Sequence, residues 1–129
     1  MSTVNGVDVS QIPAKVEDAG QEQGIDWCVM RHPSFGFCNG YVRLPERHPW
    51  RDVTSLESHT ADLCHGGITG GHGADWIGFD TGHAFDYWPG TPLSEHEDPA
   101  DPWTVHWTVA KVADEARRLA RHVSEAVQS

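Results

Sequence analysis

Trp103-Thr-Val-His-Trp-Thr-Val-Ala-Lys-Val-Ala-Asp-Glu-Ala-Arg-Arg-Leu-Ala-Arg-His-Val-Ser-Glu-Ala-Val127 carries the clearest secondary-structure signal in the chain. Val105, Val109, Val112, Ala116, Leu119, Val123 and Val127 step by fours and threes, the spacing that lines one face of an α-helix. Glu115, Arg118, Arg121 and Glu125 fall on the other side. Two starts compete. Asp101-Pro102 would cap the helix and put Pro at its first position. Thr108 is the rival cap, because Trp103 to Val109 alternates as a strand does. The C-terminal helix, 104–126 at its widest, is expected to start between 104 and 108 and to end at about 126.

Such a helix must bury its apolar face, and the segments before it read as strands. Ile25 to Arg31 is the first, Phe35 to Leu44 the second, and the turn chemistry of His32-Pro33-Ser34 between them makes a hairpin. Pro45 and Pro49 end the regular structure there. A short strand is expected at Val53 to Leu56, and a buried one at Ala74 to Phe79, which holds Trp76, Ile77 and Phe79. Residues 64–73 are too rich in glycine for the interior of an element. Residues 80–102, rich in Pro, Gly and acids, read as a long loop, and 1–22 as a loosely held N-terminal segment with a short strand or turn. The expectation is one α+β domain over 1–129, a small antiparallel or mixed sheet with the C-terminal amphipathic helix packed on it and long Gly/Pro-rich loops.

Composition narrows the function classes. Apolar residues make up 38% of the 129-residue chain and there are six Trp, which argues against disorder. Nineteen acidic against nine basic residues give a formal net charge of −10. That surface repels phosphate backbones, so nucleic acid is not expected as a primary partner. Cys28, Cys38 and Cys64 form no C-x-x-C pair, which disfavours a disulfide framework or a zinc ribbon. The polar N-terminus and the lack of a long apolar run point to a cytoplasmic protein without a membrane partner. Composition leaves the oligomeric state open.

The chemistry gathers in two segments flanking the strand at 74–79. Downstream, Gly78-Phe-Asp-Thr-Gly-His-Ala-Phe-Asp86 spaces Asp80, His83 and Asp86 at three-residue intervals. Upstream, Cys64-His-Gly-Gly-Ile-Thr-Gly-Gly-His-Gly73 sets His65 before Gly66 and Gly67 and places His72 among further glycines. Mixed N and O donors favour zinc, manganese or iron over calcium or magnesium. The blander reading makes Asp80 a turn cap, leaves His83 exposed and makes the glycines a mobile turn. The amides of Gly66 and Gly67 are candidates to face a bound anion. No G-x-S-x-G elbow, Walker loop or H-E-x-x-H motif accompanies them. Cys38, His65 and Asp80 occur in the order of a thiol enzyme, although Cys38 sits in a strand rather than at a helix start. His48-Pro49-Trp50 adds an imidazole held extended by the following proline.

These segments resemble a family of small bacteriophage and actinobacterial proteins. The resemblance rests on Cys38-Asn-Gly-Tyr-Val-Arg-Leu-Pro-Glu-Arg-His-Pro-Trp50, on His65-Gly-Gly-Ile-Thr69 and on Trp76-Ile-Gly-Phe-Asp-Thr-Gly-His-Ala-Phe-Asp86. Val112-Ala-Asp-Glu-Ala-Arg-Arg-Leu-Ala120 is similar to that family's last helix. The resemblance implies a compact, phage-encoded intracellular domain and brings no activity with it. The stretch between His65-Gly-Gly and Trp76 is shorter here than in the family pattern, and Thr81 stands where a small residue or Cys is expected.

Two expectations follow. In the first, His65, Asp80, His83 and Asp86 bind zinc or manganese, His48 contacts substrate or supports the ligands, and the protein is a metal-assisted hydrolase of a small anionic substrate. In the second, the same loops form a non-catalytic binding protein that modulates a host protein or sequesters a small ligand.

Overall fold

The computed structural model describes residues 2–83, 86–91 and 98–128. Two short strands, β1 (Thr3–Val4) and β2 (Val7–Asp8), pair antiparallel across Asn5-Gly6. Both turn residues have positive φ, 50° and 81°, the left-handed pair that a two-residue hairpin matching the strand twist requires. Gln23 and Gly24 repeat this geometry between β3 (Val16–Glu22) and β4 (Ile25–Arg31). Next come β5 (Cys38–Arg43), a one-turn 3-10 helix at Pro49–Asp52 and the short helix α1 (Leu56–His59). Strands β6 (Gly70–His72), β7 (Trp76–Phe79), β8 (Asp86–Tyr87) and β9 (Val105–His106) precede the long helix α2 (Val109–Gln128).

The main sheet runs β3-β4-β5-β7-β6 with every neighbour antiparallel. Helix α2 packs across β3, β4 and β5. The α+β expectation holds, as do the hairpin of the strands at 25–31 and 38–43 and the buried strand at 76–79. Strand alternation divides the core in two. Ile25, Trp27, Val29 and Val42 meet Val112, Ala116, Leu119, Ala120 and Val123 of α2 on one face. Cys28, Met30, Tyr41 and Trp76 form the other face and are covered by Val7, Val9 and Ile12. A strand buried on both sides shows a near-continuous apolar run, which is why Trp27-Cys-Val-Met30 reads as one.

Three expectations are corrected. The segment expected to be loosely held, 1–22, is docked over its described residues 2–22: β3 is a seven-residue edge strand, and Val7, Val9 and Ile12 are buried against the sheet. Val53 to Leu56 is not a strand, because Pro49 opens a 3-10 turn whose last bond joins the Val53 N–H to the Trp50 carbonyl, and α1 follows at Leu56. The long helix starts at Val109, at the late end of the expected 104–108 range. Thr108 wins the competition, its hydroxyl accepting from the Lys111 N–H at 3.1 Å, while Val105 and His106 pair as β9. That strand lies parallel to β8 in a two-stranded sheet, so the 80–102 loop carries a strand at 86–87. Residues 84–85 and 92–97 of that loop lie outside the described residues.

Candidate functional site

The loop after β7 turns back on itself through its own carboxylates. Asp80 Oδ1 accepts from the Gly82 N–H at 3.1 Å, and Asp86 Oδ2 accepts from the His83 N–H at 3.0 Å. The intervening Thr81 is fully buried. Its hydroxyl donates to the Cys38 carbonyl of β5 at 2.7 Å and accepts the Trp88 indole N–H at 2.9 Å, which pegs the corner to the sheet.

Asp86 is the centre of the arrangement. Only 1% of it is exposed, so an ionised carboxylate there must find several donors. The Trp107 indole N–H donates to Oδ1 at 2.7 Å, the His83 amide holds Oδ2, and His65 Nε2 lies 3.0 Å from Oδ1. His65 arrives from the glycine loop and sets its ring edge-on to Trp107, with centroids 4.9 Å apart. The hydrogen bond to Asp86 raises the His65 pKa above its ordinary value, against the opposing effect of burial; the charges of Asp86, Glu115 and Asp80 add to the rise. His83 Nδ1 lies 3.9 Å from Asp86 Oδ2 and 3.1 Å from Asp80 Oδ1.

Three of the four expected ligands therefore converge. One donor atom each from His65, His83 and Asp86 lies within 4.8 Å of the others, a group that can hold a metal ion. Asp80 stands behind His83, bonded to its ring, to the Gly82 amide and to the Thr69 hydroxyl at 3.3 Å. No family model, curated protein or solved structure matches the chain. The functional reading rests on its own residues.

The other candidates go elsewhere. His48 is 2% exposed with both ring nitrogens engaged: Nδ1 accepts from the Trp50 N–H at 3.0 Å, and Nε2 donates to the Val123 carbonyl of α2 at 2.8 Å. It pins the 3-10 turn to the long helix and has no nitrogen left for a substrate. Gly67 does not present its amide to a ligand either, since that N–H donates to the Cys64 carbonyl. The backbone φ there is +77°, and a Cβ would sit 2.5 Å from the Glu57 carbonyl, so glycine is required by packing against α1. Gly66 lies beside the His83 ring. Cys38 is fully buried, and burial pushes its thiol up to about 11, the opposite of an activated nucleophile. His72 leaves the cluster for Tyr41, its Nε2 lying 3.1 Å from the phenol oxygen.

Sequence reasoning missed Trp107 and Thr81. Both act through one polar atom on an otherwise apolar or ordinary side chain, and neither belongs to a spaced motif. The strand-like alternation at 103–109 was the only sign that Trp107 faces inward.

Proposed function

We propose that His65, His83 and Asp86 bind a divalent metal ion, zinc or manganese, and that the protein uses it to hydrolyse a small anionic substrate. The convergence of two imidazoles on one buried carboxylate carries this reading. Three protein ligands with a remaining open position is the donor arrangement of catalytic zinc sites.

Distances support the assignment. Tetrahedral zinc with ligands at about 2.0–2.1 Å sets its donor atoms about 3.4 Å apart. Taken at the one oxygen that both rings approach, Asp86 Oδ2, His65 Nε2 lies at 3.3 Å, near that spacing already, and His83 Nδ1 at 3.9 Å has a short way to travel. The Trp107 indole orients the Asp86 carboxylate, as outer partners of metal ligands do. The ion would supply the positive charge the acidic surface lacks and lower the pKa of a bound water. Asp80, beside His83 and partly exposed, would accept the proton from that water.

Metal uptake and activity test the two halves separately. Equilibrium dialysis against zinc and manganese should give about one equivalent, lost in His65→Ala and His83→Ala. Screening phosphate and carboxylate esters should then show turnover that depends on the ion and falls at least about a hundredfold in Asp80→Asn. Uptake below about a tenth of an equivalent near neutral pH, where both imidazoles can be deprotonated for the ion, overturns the metal assignment.

A further inference from the structure

The end of the β3–β4 hairpin remote from Gln23-Gly24 opens on a cavity of about 430 Å³, a volume in the range of small-molecule sites. Pairing continues past the strand ends there, the Arg31 N–H donating to the Lys15 carbonyl at 2.9 Å. Lys15 and Arg31 both line the cavity. The turn at 32–36 makes a second wall, and Thr91 closes against it: a Cβ added at Gly36 would sit 3.1 Å from the Thr91 methyl.

Charge sets this cavity apart. The chain carries a net charge of −10, yet no Asp or Glu is among the described residues that line it. One carboxylate stands beside the two cations. Glu17 Oε1 accepts from Arg31 Nε at 3.1 Å and lies 3.4 Å from Lys15 Nζ. The Arg31 bond holds Glu17 below its ordinary pKa, so it is ionised near pH 7. Two cations and one carboxylate leave the group at +1. Arg31 Nη1 also donates to the Gly36 carbonyl at 2.6 Å. A guanidinium has five N–H donors, so these bonds leave three without a partner among the described residues. Nor is it sealed off: the Arg31 side chain is 35% exposed and that of Lys15 76%. The guanidinium is tied to Gly36 on one side and shares Glu17 with Lys15 on the other, and both of those neighbours line the cavity.

The rest of the lining is apolar and already ordered. Phe35 is half exposed, its ring 5.1 Å from that of His32 and 6.3 Å from that of Phe37, with which it stacks at an interplanar angle of 8°. His32 Nδ1 accepts from the Ser34 and Phe35 N–H groups, each at 3.1 Å, which fixes the turn that carries the ring. An aromatic face held in place this way offers a stacking surface, and a preformed wall lowers the cost of ordering on binding. Pro13 and Pro33 extend it. A planar carboxylate matches the fork of a guanidinium, and a single negative charge matches the residual +1. We propose that this cavity binds a small aromatic monocarboxylate, its carboxylate on Arg31 and Lys15 and its ring against Phe35.

The site shares no residue with the metal assignment, so its test is run on the full chain with EDTA present and either reading can fail alone. Benzoate, benzamide and benzamidinium serve as probes nearly equal in shape and different in charge. Acetate lacks the ring, and phenyl phosphate replaces the carboxylate. In amide NMR spectra benzoate should saturably shift the backbone amides of Ser34, Phe35, Gly36 and Thr91. Benzamide should bind about tenfold more weakly for want of the charge-assisted bond, and benzamidinium should not bind. Acetate should also be weaker by about tenfold, since it leaves Phe35 uncovered. Arg31→Gln should abolish binding, but that guanidinium also ties Glu17 to the turn, so Lys15→Glu is the second variant. Lys15 is 76% exposed, so the fold accepts the change while the group goes from +1 to −1. Benzoate affinity should then fall at least about tenfold with the remaining spectrum unchanged. Absence of a saturable shift, equal affinity for benzoate and either benzamide or acetate, tighter binding of phenyl phosphate than of benzoate, or wild-type benzoate binding by Lys15→Glu overturns the proposal.

Discussion

Two histidines that look alike in the sequence titrate in opposite directions, and their environments explain the difference. Burial holds His48 below its ordinary pKa, with Arg51 adding to the effect and the bond to Val123 opposing it. Protonation would also cost the Nδ1 bond from the Trp50 amide. Its contribution to stability is present above the unfolded value of about 6.5 and is lost as pH falls through the folded value. His65 is raised by Asp86, so its contribution is complete below about 6.5 and is lost as pH rises through the folded value. The two windows lie on opposite sides of about pH 6.5. Urea midpoints measured from about pH 5 to about pH 8 in EDTA check this. Relative to the unaltered protein, His65→Asn should flatten the decline above neutrality, and His48→Asn the decline below it. An alkaline decline that survives in His65→Asn would show that the Asp86 pair does not shift that histidine. The sequence could not separate these roles, because a Val123 carbonyl 75 residues away decides one and a Trp107 indole decides the fate of the carboxylate serving the other.

At the scale of elements, the region around Thr108 shows how local preference and pairing divide a continuous pattern. Val105 continues the apolar spacing of α2 backward, so periodicity alone extends the helix to it. Strand pairing with Tyr87 and Asp86 takes Val105 and His106 instead, and the Trp107 N–H donates to the Tyr87 carbonyl at 3.0 Å. The helix then begins where a hydroxyl satisfies an otherwise orphaned amide: Thr108 caps the Lys111 N–H. This start also fixes which way Trp107 points, so the cap helps position the donor on Asp86. Thr108→Ala should cost about 1 kcal/mol in urea unfolding, and Thr108→Ser much less, because the oxygen and not the methyl makes the cap. Equal losses in both would assign the effect to packing. The period-four face from Val109 to Val123 was legible because every position on it meets one sheet. Of the β8–β9 pair only β9 showed, in the alternation at 103–109, since the two residues of β8 leave no periodicity to read.

The whole molecule is a sheet covered twice, and only one cover was visible in advance. The helix announces itself by amphipathicity. The N-terminal arm does not, although Asn5-Gly6 between alternating residues is a strong hairpin signal, because Val4, Val7, Val9 and Ile12 are scattered among polar residues that face solvent. Their partners are the inward side chains of the opposite face, Met30, Tyr41 and Trp76, and those gave no sign of needing a second layer while the strands read as half-buried. The arm's docking is specific: the Val9 amide bonds the Ser2 carbonyl, the Ile12 amide bonds the Val9 carbonyl, and an Arg43 guanidinium from the sheet bonds the Asp8 carbonyl. Ile12→Ala should therefore behave as a core truncation and cost about 2–4 kcal/mol, whereas a loosely held segment would lose less than about 0.5 kcal/mol. Urea unfolding of Ile12→Ala beside Leu119→Ala, which empties the helix-side core at a fully buried position, sets the scale. Losses of similar size establish two cores of one cooperative unit. A negligible loss at Ile12 would mean that the second face of the sheet stands open.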